Sequence, residues 1–368
     1  MPAVPRLAQD VTDDALRIVH IASGRQWRGG QRQVLLLARG LASLGVEQVV
    51  ITSRESRLAR ELAAAGVPVR AVVWRGGLSL AALLAAWREG RGPQTIYHAH
   101  DGHAVTLAAL AARLSGKPWV AHRRTAFRVR RPARWRRATR AIAISEPVAE
   151  RLRDAGVDPA RIALVSSAID LERARACPAR DPRPGLGLPP NAPLAVNVAA
   201  FTQEKDHDTL VRAATLAAER RPDLHWAIAG DGPLQPQVAR SIRNLGQDSR
   251  IHLLGWVDEP MELIKAADLF VLSSRQEAVG TVLLDAMAAG VPIVATNVGG
   301  IASTVGRGGL LVPPADPAAL AEGVLQVLDQ DELRERLRDE GGRAVALRDA
   351  AGMAEAVRAI YRSVVLKS

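Results

Sequence analysis

Short runs rich in Val, Ile and Ala alternate with longer Ala- and Leu-rich stretches of helical period along nearly the whole chain. In the first half the apolar runs predict strands at 17–21, 48–52, 69–74, 95–98, 118–122, 141–144 and 161–165, with helices such as 31–44 and 78–89 between them. Residues 178–193 break the pattern. They are dense in Pro, Gly and Asp, carry no periodicity, and read as a linker. The alternation then restarts. Strands are expected at 194–198, 225–229, 250–254, 269–272 and 292–295, and helices at 207–219, 279–289, 317–328, 332–347 and 353–364. Repeated strand–helix–strand units imply parallel sheets with right-handed crossovers. The expected class is therefore α/β, with two Rossmann-like doubly wound domains facing each other across a cleft. Such sheets bind ligands outside the carboxyl ends of their strands, so the loops after strands are where chemistry is sought.

Composition narrows this picture. A chain of 368 residues with 48% apolar content can fill two cores. Aromatic residues are only 3%, which suits Val/Ile strands and Ala/Leu helices better than a β-sandwich. The single cysteine, Cys177, excludes an internal disulfide framework and a multi-cysteine zinc site, and fits a reducing compartment. Residues 1–15 include Asp10, Asp13 and Asp14 without an apolar core, so a loose tail is expected there rather than a secretion signal. No apolar run reaches the roughly 18 residues of a membrane span. A cytoplasmic protein, soluble or peripheral at the inner face of the cell membrane, is the expectation.

The formal charge of +11 comes almost wholly from arginine. Nine arginines and no acid lie between Arg123 and Arg140, interleaved with Phe127 and Trp135. This segment reads either as a solvated face or as a patch for phosphate-bearing partners, anionic lipid or nucleic acid.

Four segments carry candidate chemistry. Trp27-Arg28-Gly29-Gly30-Gln31 joins the first strand to the first helix, where glycines expose backbone N–H groups to an anion. The three spaced glycines of a dinucleotide fingerprint are missing, which argues against a nicotinamide enzyme. His98-Ala99-His100-Asp101 ends the fourth strand. Its histidines share one side, and no third ligand at conventional spacing supports zinc. Lys205, one of four lysines in an arginine-saturated chain, follows the first strand of the second half. A lysine there suits a compact anion such as a phosphate oxygen. The stretch from Ser273 to Pro292 ends a strand in polar residues, places Glu277 in a loop, and opens a helix with Gly280 and Thr281. The helix start can hold a diphosphate, and Glu277 and Asp285 can take hydroxyls.

The last segment resembles the family-4 retaining glycosyltransferases of GT-B fold. Their signature is two acids separated by seven residues, then Ala-Met-Ala-x-Gly-x-Pro-x-Val-Ala-Thr-x-x-Gly-Gly. Here it reads Glu277, seven residues, Asp285, then Ala286 to Gly300 in full agreement. Ile228-Ala229-Gly230-Asp231-Gly232-Pro233, Leu254-Gly255-Trp256-Val257, Gly309 to Pro314, Gly29-Gly30, the His-Ala-His and Ile144-Ser145 are similar too. The resemblance spans about residues 16–330. It implies an acceptor domain at 16–177, a nucleotide-sugar donor domain at 194–350, and a final helix at 351–368 that crosses back.

Carried over residue by residue, the resemblance makes Lys205 a donor-phosphate contact and Glu277 the acid on the transferred sugar's hydroxyls. Asp285 becomes the ribose contact, and Gly280, Thr281 and Val282 the phosphate-binding helix start. Gly230, Trp256 and Val257 fall on the donor side. Gly29 and Gly30 form the loop over the diphosphate, and His100 lies near sugar and acceptor. His100, Lys205 and Glu277 are the implied catalytic set. Arg28, Arg123, Arg124 and Ser145 are candidates for acceptor or phosphate contacts. Four positions depart from the pattern. Ala200 stands where an arginine usually precedes the lysine, Asp285 replaces a glutamate, Ser303 replaces a glutamate after Gly-Gly, and Ser166-Ser167-Ala168 replaces Pro-Asn-Gly.

The expected activity is transfer of a hexose- or heptose-type sugar from a nucleotide-diphosphate donor to a hydroxyl, with retention and without metal or other cofactor. The expected acceptor is a glycan or lipid-linked molecule of lipopolysaccharide, capsule or glycolipid synthesis, beside a possible anionic membrane surface at residues 123–140 and no nucleic acid. Two alternatives remain: a sugar-nucleotide 2-epimerase of similar fold, and a basic nucleic-acid-binding protein.

Overall fold

The computed structural model describes residues 16–74 and 78–366. The tail expected at 1–15, and part of the turn before the helix expected at 78–89, lie outside the described residues. The chain forms two compact units. One runs up to Ser166 and is completed by the stretch from Ala350, and the other is Ser167–Asp349.

In the first unit the elements are β1 (Leu16–Ala22), α1 (Gly29–Ser43), β2 (Glu47–Ser53), α2 (Arg57–Ala64), β3 (Val69–Val72), α3 (Leu80–Glu89), β4 (Gln94–Ala99), α4 (Gly102–Ser115), β5 (Trp119–Arg123), α5 (Pro132–Trp135), β6 (Arg140–Ala143), α6 (Glu146–Asp154) and β7 (Ile162–Leu164). The second unit holds α7 (Leu171–Ala176), β8 (Leu194–Val198), α8 (His207–Arg220), β9 (His225–Ala229), α9 (Gln235–Asn244), β10 (Ile251–Gly255), α10 (Pro260–Ile264), β11 (Leu269–Leu272), α11 (Thr281–Ala288), β12 (Ile293–Thr296), α12 (Ile301–Val305), β13 (Leu310–Val312), α13 (Pro317–Asp329) and α14 (Asp331–Ala346). The last helix, α15 (Ala350–Val365), returns to the first unit.

Both sheets are parallel. The first has the order β3-β2-β1-β4-β5-β6-β7 and the second β10-β9-β8-β11-β12-β13. Strand order reverses between β1 and β4 and again between β8 and β11. These are the switch points where loops diverge and leave room for a ligand. The central strands read as continuous apolar runs because helices cover both faces of each sheet. In the second unit, Trp226, Val271 and Val294 pack toward α8 and α13, whereas Phe270, Ile293 and Ala295 pack toward α11 and α12.

Two boundaries differ from the sequence reading. The first unit ends at Ser166, and the stretch 178–193 is not a free linker but part of the second unit. Arg183, buried, is the reason. It donates to the Ala192 and Ala266 carbonyls and pairs with Asp181 at 3.0 Å and Asp268 at 2.6 Å. One side chain thus does what a regular ladder does elsewhere, and leaves no periodic trace. At the far end, α15 packs against α1 at Gly40. A Cβ on that glycine would lie 2.6 Å from the Ala354 Cβ, so close helix approach depends on its absence.

Candidate active site

In the second unit, the chain after β8 makes a short 3-10 turn at Gln203–Lys205, and the chain after β11 carries Glu277. The adjacency of β8 and β11 at the switch point brings these loops together. Lys205 Nζ and the Glu277 carboxylate form a partly buried ion pair. Ser273 Oγ ties the loops by donating to the Lys205 and Asp206 carbonyls, and the Arg275 N–H donates to the Glu204 carbonyl.

The Gly-Gly at 299–300 explains how Glu277 is held. Gly299 has φ +54°, and a Cβ there would fall 1.8 Å from the Glu277 carbonyl oxygen. No other residue permits that approach. The Gly300 N–H donates to the same carbonyl at 3.2 Å, and Thr304 Oγ1 donates to the Val279 carbonyl at 2.8 Å. Gly230 acts similarly on the other side. Its φ is +145°, and a Cβ would meet the Ala199 carbonyl oxygen at 2.0 Å, so the loop after β9 lies against the backbone beside Ala200.

Gly280 caps α11 with positive φ and no side-chain cap, and Thr281 and Val282 form its first turn. The N–H groups there have no capping side chain, which suits an anion. Asp285 is buried on α11. Trp256 is about half exposed after β10 and donates from Nε1 to Asp258, while Val257 packs on the core. His207, at the start of α8, is held down to about 4 by burial first and by the Lys205 charge second.

In the first unit the ends of β1, β4 and β5 bring together four histidines, one arginine and one tyrosine. His20, His98, His100 and His122 are all buried. The His98 and His122 rings stack with 3° between planes, and the His98 and His100 centroids are 4.1 Å apart. His20 Nδ1 and His100 Nε2 are 2.8 Å apart. Arg124, partly buried, reaches His100 Nδ1 and His122 Nδ1, each at 3.0 Å, and the His100 carbonyl at 3.2 Å. The Tyr361 hydroxyl, from α15, meets His98 Nδ1. Burial, above all, pulls His20 down to about 3 and keeps His98, His100 and His122 well below the usual imidazole range. Arg124 is lowered to about 10 by burial, against the opposing pull of Asp101 and Tyr361.

These contacts correct several sequence expectations. His100 has both ring nitrogens engaged, by Arg124 and His20, and is buried, so neither nitrogen is left for a direct substrate contact. Arg123 is buried beneath Trp135, with its guanidinium 5.3 Å from the ring centroid, and donates to the Phe127 carbonyl. It is a packing residue, not a phosphate ligand. Trp135, 3% exposed, is likewise unavailable to a membrane. Arg134 donates to Thr106 Oγ1. Ser145 precedes α6 and is buried. Arg28 is exposed at the N-terminus of α1, without a side-chain cap, and Gly29 and Gly30 open that helix beside Arg124.

The sequence reading missed His20, His122 and Tyr361. The available signal was a polar residue inside an otherwise apolar strand, at His20 and His122. Nothing local marks Tyr361, which is 263 positions from its partner.

Two Rossmann-like units, with a lysine and a glutamate at one switch point beside an uncapped helix start, define the class of nucleotide-sugar transferases of GT-B fold. The sequence pattern of the family described as Glycosyl transferases group 1 matches residues 180–343, and that described as Glycosyltransferase Family 4 matches residues 27–173. The chain belongs to this glycosyltransferase family. It is 32% identical over 378 residues to a 2-deoxystreptamine glucosyltransferase of Streptomyces kanamyceticus, covering 88% of this chain and 97% of that one. It is 28% identical to the lipopolysaccharide core biosynthesis glycosyltransferase LpsE of Rhizobium meliloti over 89% and 93% of the two chains. A D-inositol 3-phosphate glycosyltransferase 2 of Catenulispora acidiphila is 34% identical over 54% of this chain, and the match spans about half (49%) of that relative. Among solved structures, Anabaena Alr3699/HepE in complex with UDP-glucose shares the fold, with TM-score 0.82 and 18% identity over 95% of this chain and all of that one.

Proposed function

We propose that this enzyme transfers a hexose- or heptose-type sugar from a UDP- or GDP-type donor to a hydroxyl of an envelope glycan or lipid-linked acceptor, with retention of anomeric configuration. The observation that carries the reading is the Lys205–Glu277 pair at the switch point of the second sheet, next to the uncapped start of α11. The lysine and the helix amides stabilise charge developing on the departing diphosphate. Glu277 takes the hydroxyls of the sugar. Donor binding replaces the ion pair by a lysine–phosphate and a carboxylate–hydroxyl contact. The leaving phosphate takes the acceptor proton on the same face, and no metal is used. The Anabaena neighbour binds UDP-glucose, and the name of LpsE points to a lipopolysaccharide core acceptor. The direct test is to incubate the purified enzyme with a panel of nucleotide sugars and truncated core acceptors, and to assign product anomers by NMR. Donor consumption without acceptor would instead indicate the epimerase reading.

The acceptor side also favours an anionic membrane. Arg128, Arg130, Arg131, Arg136 and Arg137 are exposed and without ion-pair partners among the described residues, and Phe127 is about half exposed beside them. No helix among the described residues is long and apolar enough to cross a membrane. Five basic residues at about 1 kcal/mol each suffice for reversible attachment. Co-sedimentation with anionic but not neutral vesicles is expected, and it should weaken when four of the five become glutamine. Equal sedimentation of that variant would exclude the patch.

A further inference from the structure

We propose that Arg124 is the positioning residue of the histidine cluster in the first unit: its two terminal nitrogens dictate which ring nitrogen of His100, His122 and His20 carries the proton. The activity it serves rests on the glycosyltransferase reading, but the hydrogen-bond logic does not.

A guanidinium donates and never accepts. Both Nδ1 atoms facing Arg124, on His100 and His122, therefore accept, and each neutral ring keeps its proton on Nε2. His100 Nε2 then donates across 2.8 Å to His20 Nδ1, which leaves the His20 proton on Nε2 as well. One side chain thus imposes one tautomer on three rings, from β1, β5 and the residue after β4.

Two chemical consequences follow. No lone pair of these three rings is free in the ring plane, so none of them serves as a general base. The same bonds bar His20, His98 and His100 from holding a cation together, although one ring nitrogen of each lies within 4.8 Å of the others. Ligation needs the lone pair that Arg124 or His100 already occupies. A second proton on any ring would place a cation against the guanidinium. The groups facing the cluster are His20 from β1, His98 from β4, His100 just after β4, His122 from β5, Tyr361 from α15 and Asp101 at the start of α4. Asp101 is engaged elsewhere, by Ser23 and by the first turn of α4. Among the described residues the charge in direct hydrogen-bond contact with these rings is then the Arg124 guanidinium, aimed by a neutral cradle. Through Arg124 the cluster supplies electrostatic stabilisation, and these three rings supply no proton transfer.

The test is the tautomer pattern in long-range proton–nitrogen spectra of histidine-labelled full-length protein near pH 7.5. The expected result is Nε2–H at His20, His100 and His122. Nδ1–H at either His100 or His122 in the unaltered protein would overturn the proposal, and this arm needs no variant. Arg124→Met should mix the tautomers of His100 and His122 and raise their titration midpoints toward the ordinary range, because a neighbouring positive charge is gone. An unchanged spectrum in a folded Arg124→Met protein would also overturn it. In turnover, Arg124→Ala should lose about 100-fold or more in kcat and regain part of it with added guanidinium, which a purely structural loss does not. Correct tautomers in a protein that transfers no sugar would count against the glycosyltransferase reading alone.

Discussion

The two sheets solve the same topological problem with opposite electrostatics. Each reverses strand order beside its first strand, at β1/β4 and at β8/β11, and each collects its chemistry there. In the second unit the strand ends hold a compensated pair, Lys205 and Glu277, partly open to solvent. In the first, the Arg124 guanidinium lies among four buried neutral imidazoles, with no carboxylate hydrogen-bonded to it among the described residues. A paired site can exchange partners when a ligand with both phosphate and hydroxyls arrives. A guanidinium held by neutral rings has no such bonded partner to exchange, so its position must be fixed by geometry in advance. Fold alone therefore does not decide what a switch point does; the residues grafted on it do.

The largest expected effect breaks the pair from its acidic side. Glu277→Ala should lower transfer by about 1,000-fold or more while leaving binding of the nucleotide diphosphate nearly intact in calorimetry. Loss of UDP or GDP affinity in step with activity would show that Glu277 does not act on the sugar. From the basic side, Lys205→Ala should cost about 2–4 kcal/mol of transition-state stabilisation, read from kcat/KM. The neighbouring Ala200 offers no second cation. Normal turnover would remove the lysine from the site.

Support of the pair is tested next. Gly299→Ala should destabilise the protein by about 3 kcal/mol, through positive φ and overlap with the Glu277 carbonyl. It should lower Tm and kcat together, and a variant as stable and active as the parent would show that the Gly-Gly is not what positions Glu277.

Acid probes the neutral cluster. A histidine kept neutral by folding binds fewer protons folded than unfolded. Its contribution is whole above the ordinary 6.5 and falls as pH drops toward the folded value, about 3 for His20. At pH 5 that residue alone should reduce stability by about 2 kcal/mol relative to pH 7.5. Denaturant midpoints that stay flat between pH 7.5 and 5 would contradict buried neutral imidazoles. The smallest effect expected is from chelation. EDTA should leave transfer unchanged, and loss restored by manganese or magnesium would overturn the metal-free proposal.

Much of the second unit was legible in the chain. Strands β8, β9, β11 and β12 lie within a residue or two of the apolar runs that predicted them, because strands buried on both faces must be continuously apolar. Lys205 and Glu277 stood out because their surroundings are local: strand, polar loop, glycine, helix. The first unit was less legible. The short helix at Pro132–Trp135 follows from proline at a helix start, but the arginine-rich segment gave no sign that Arg123 and Trp135 turn inward while Arg128 and Arg130 face solvent. Composition reports charge, and only packing reports which charges are spent on the fold.

What the sequence by itself determined is the alternation of elements, hence two parallel sheets, and the motif that sets Glu277 beside a glycine-opened helix start without a side-chain cap. These depend on periodicity and on backbone conformations that particular residues permit. Tertiary structure alone decided that Arg183 binds the apparent linker into the second unit. It alone brought His20, 80 positions from His100, and Tyr361, from the far end of the chain, into one cluster. Hydrogen bonds between distant side chains leave no spacing to read. They exist only after strands in parallel register have carried their ends to the same edge of the sheet.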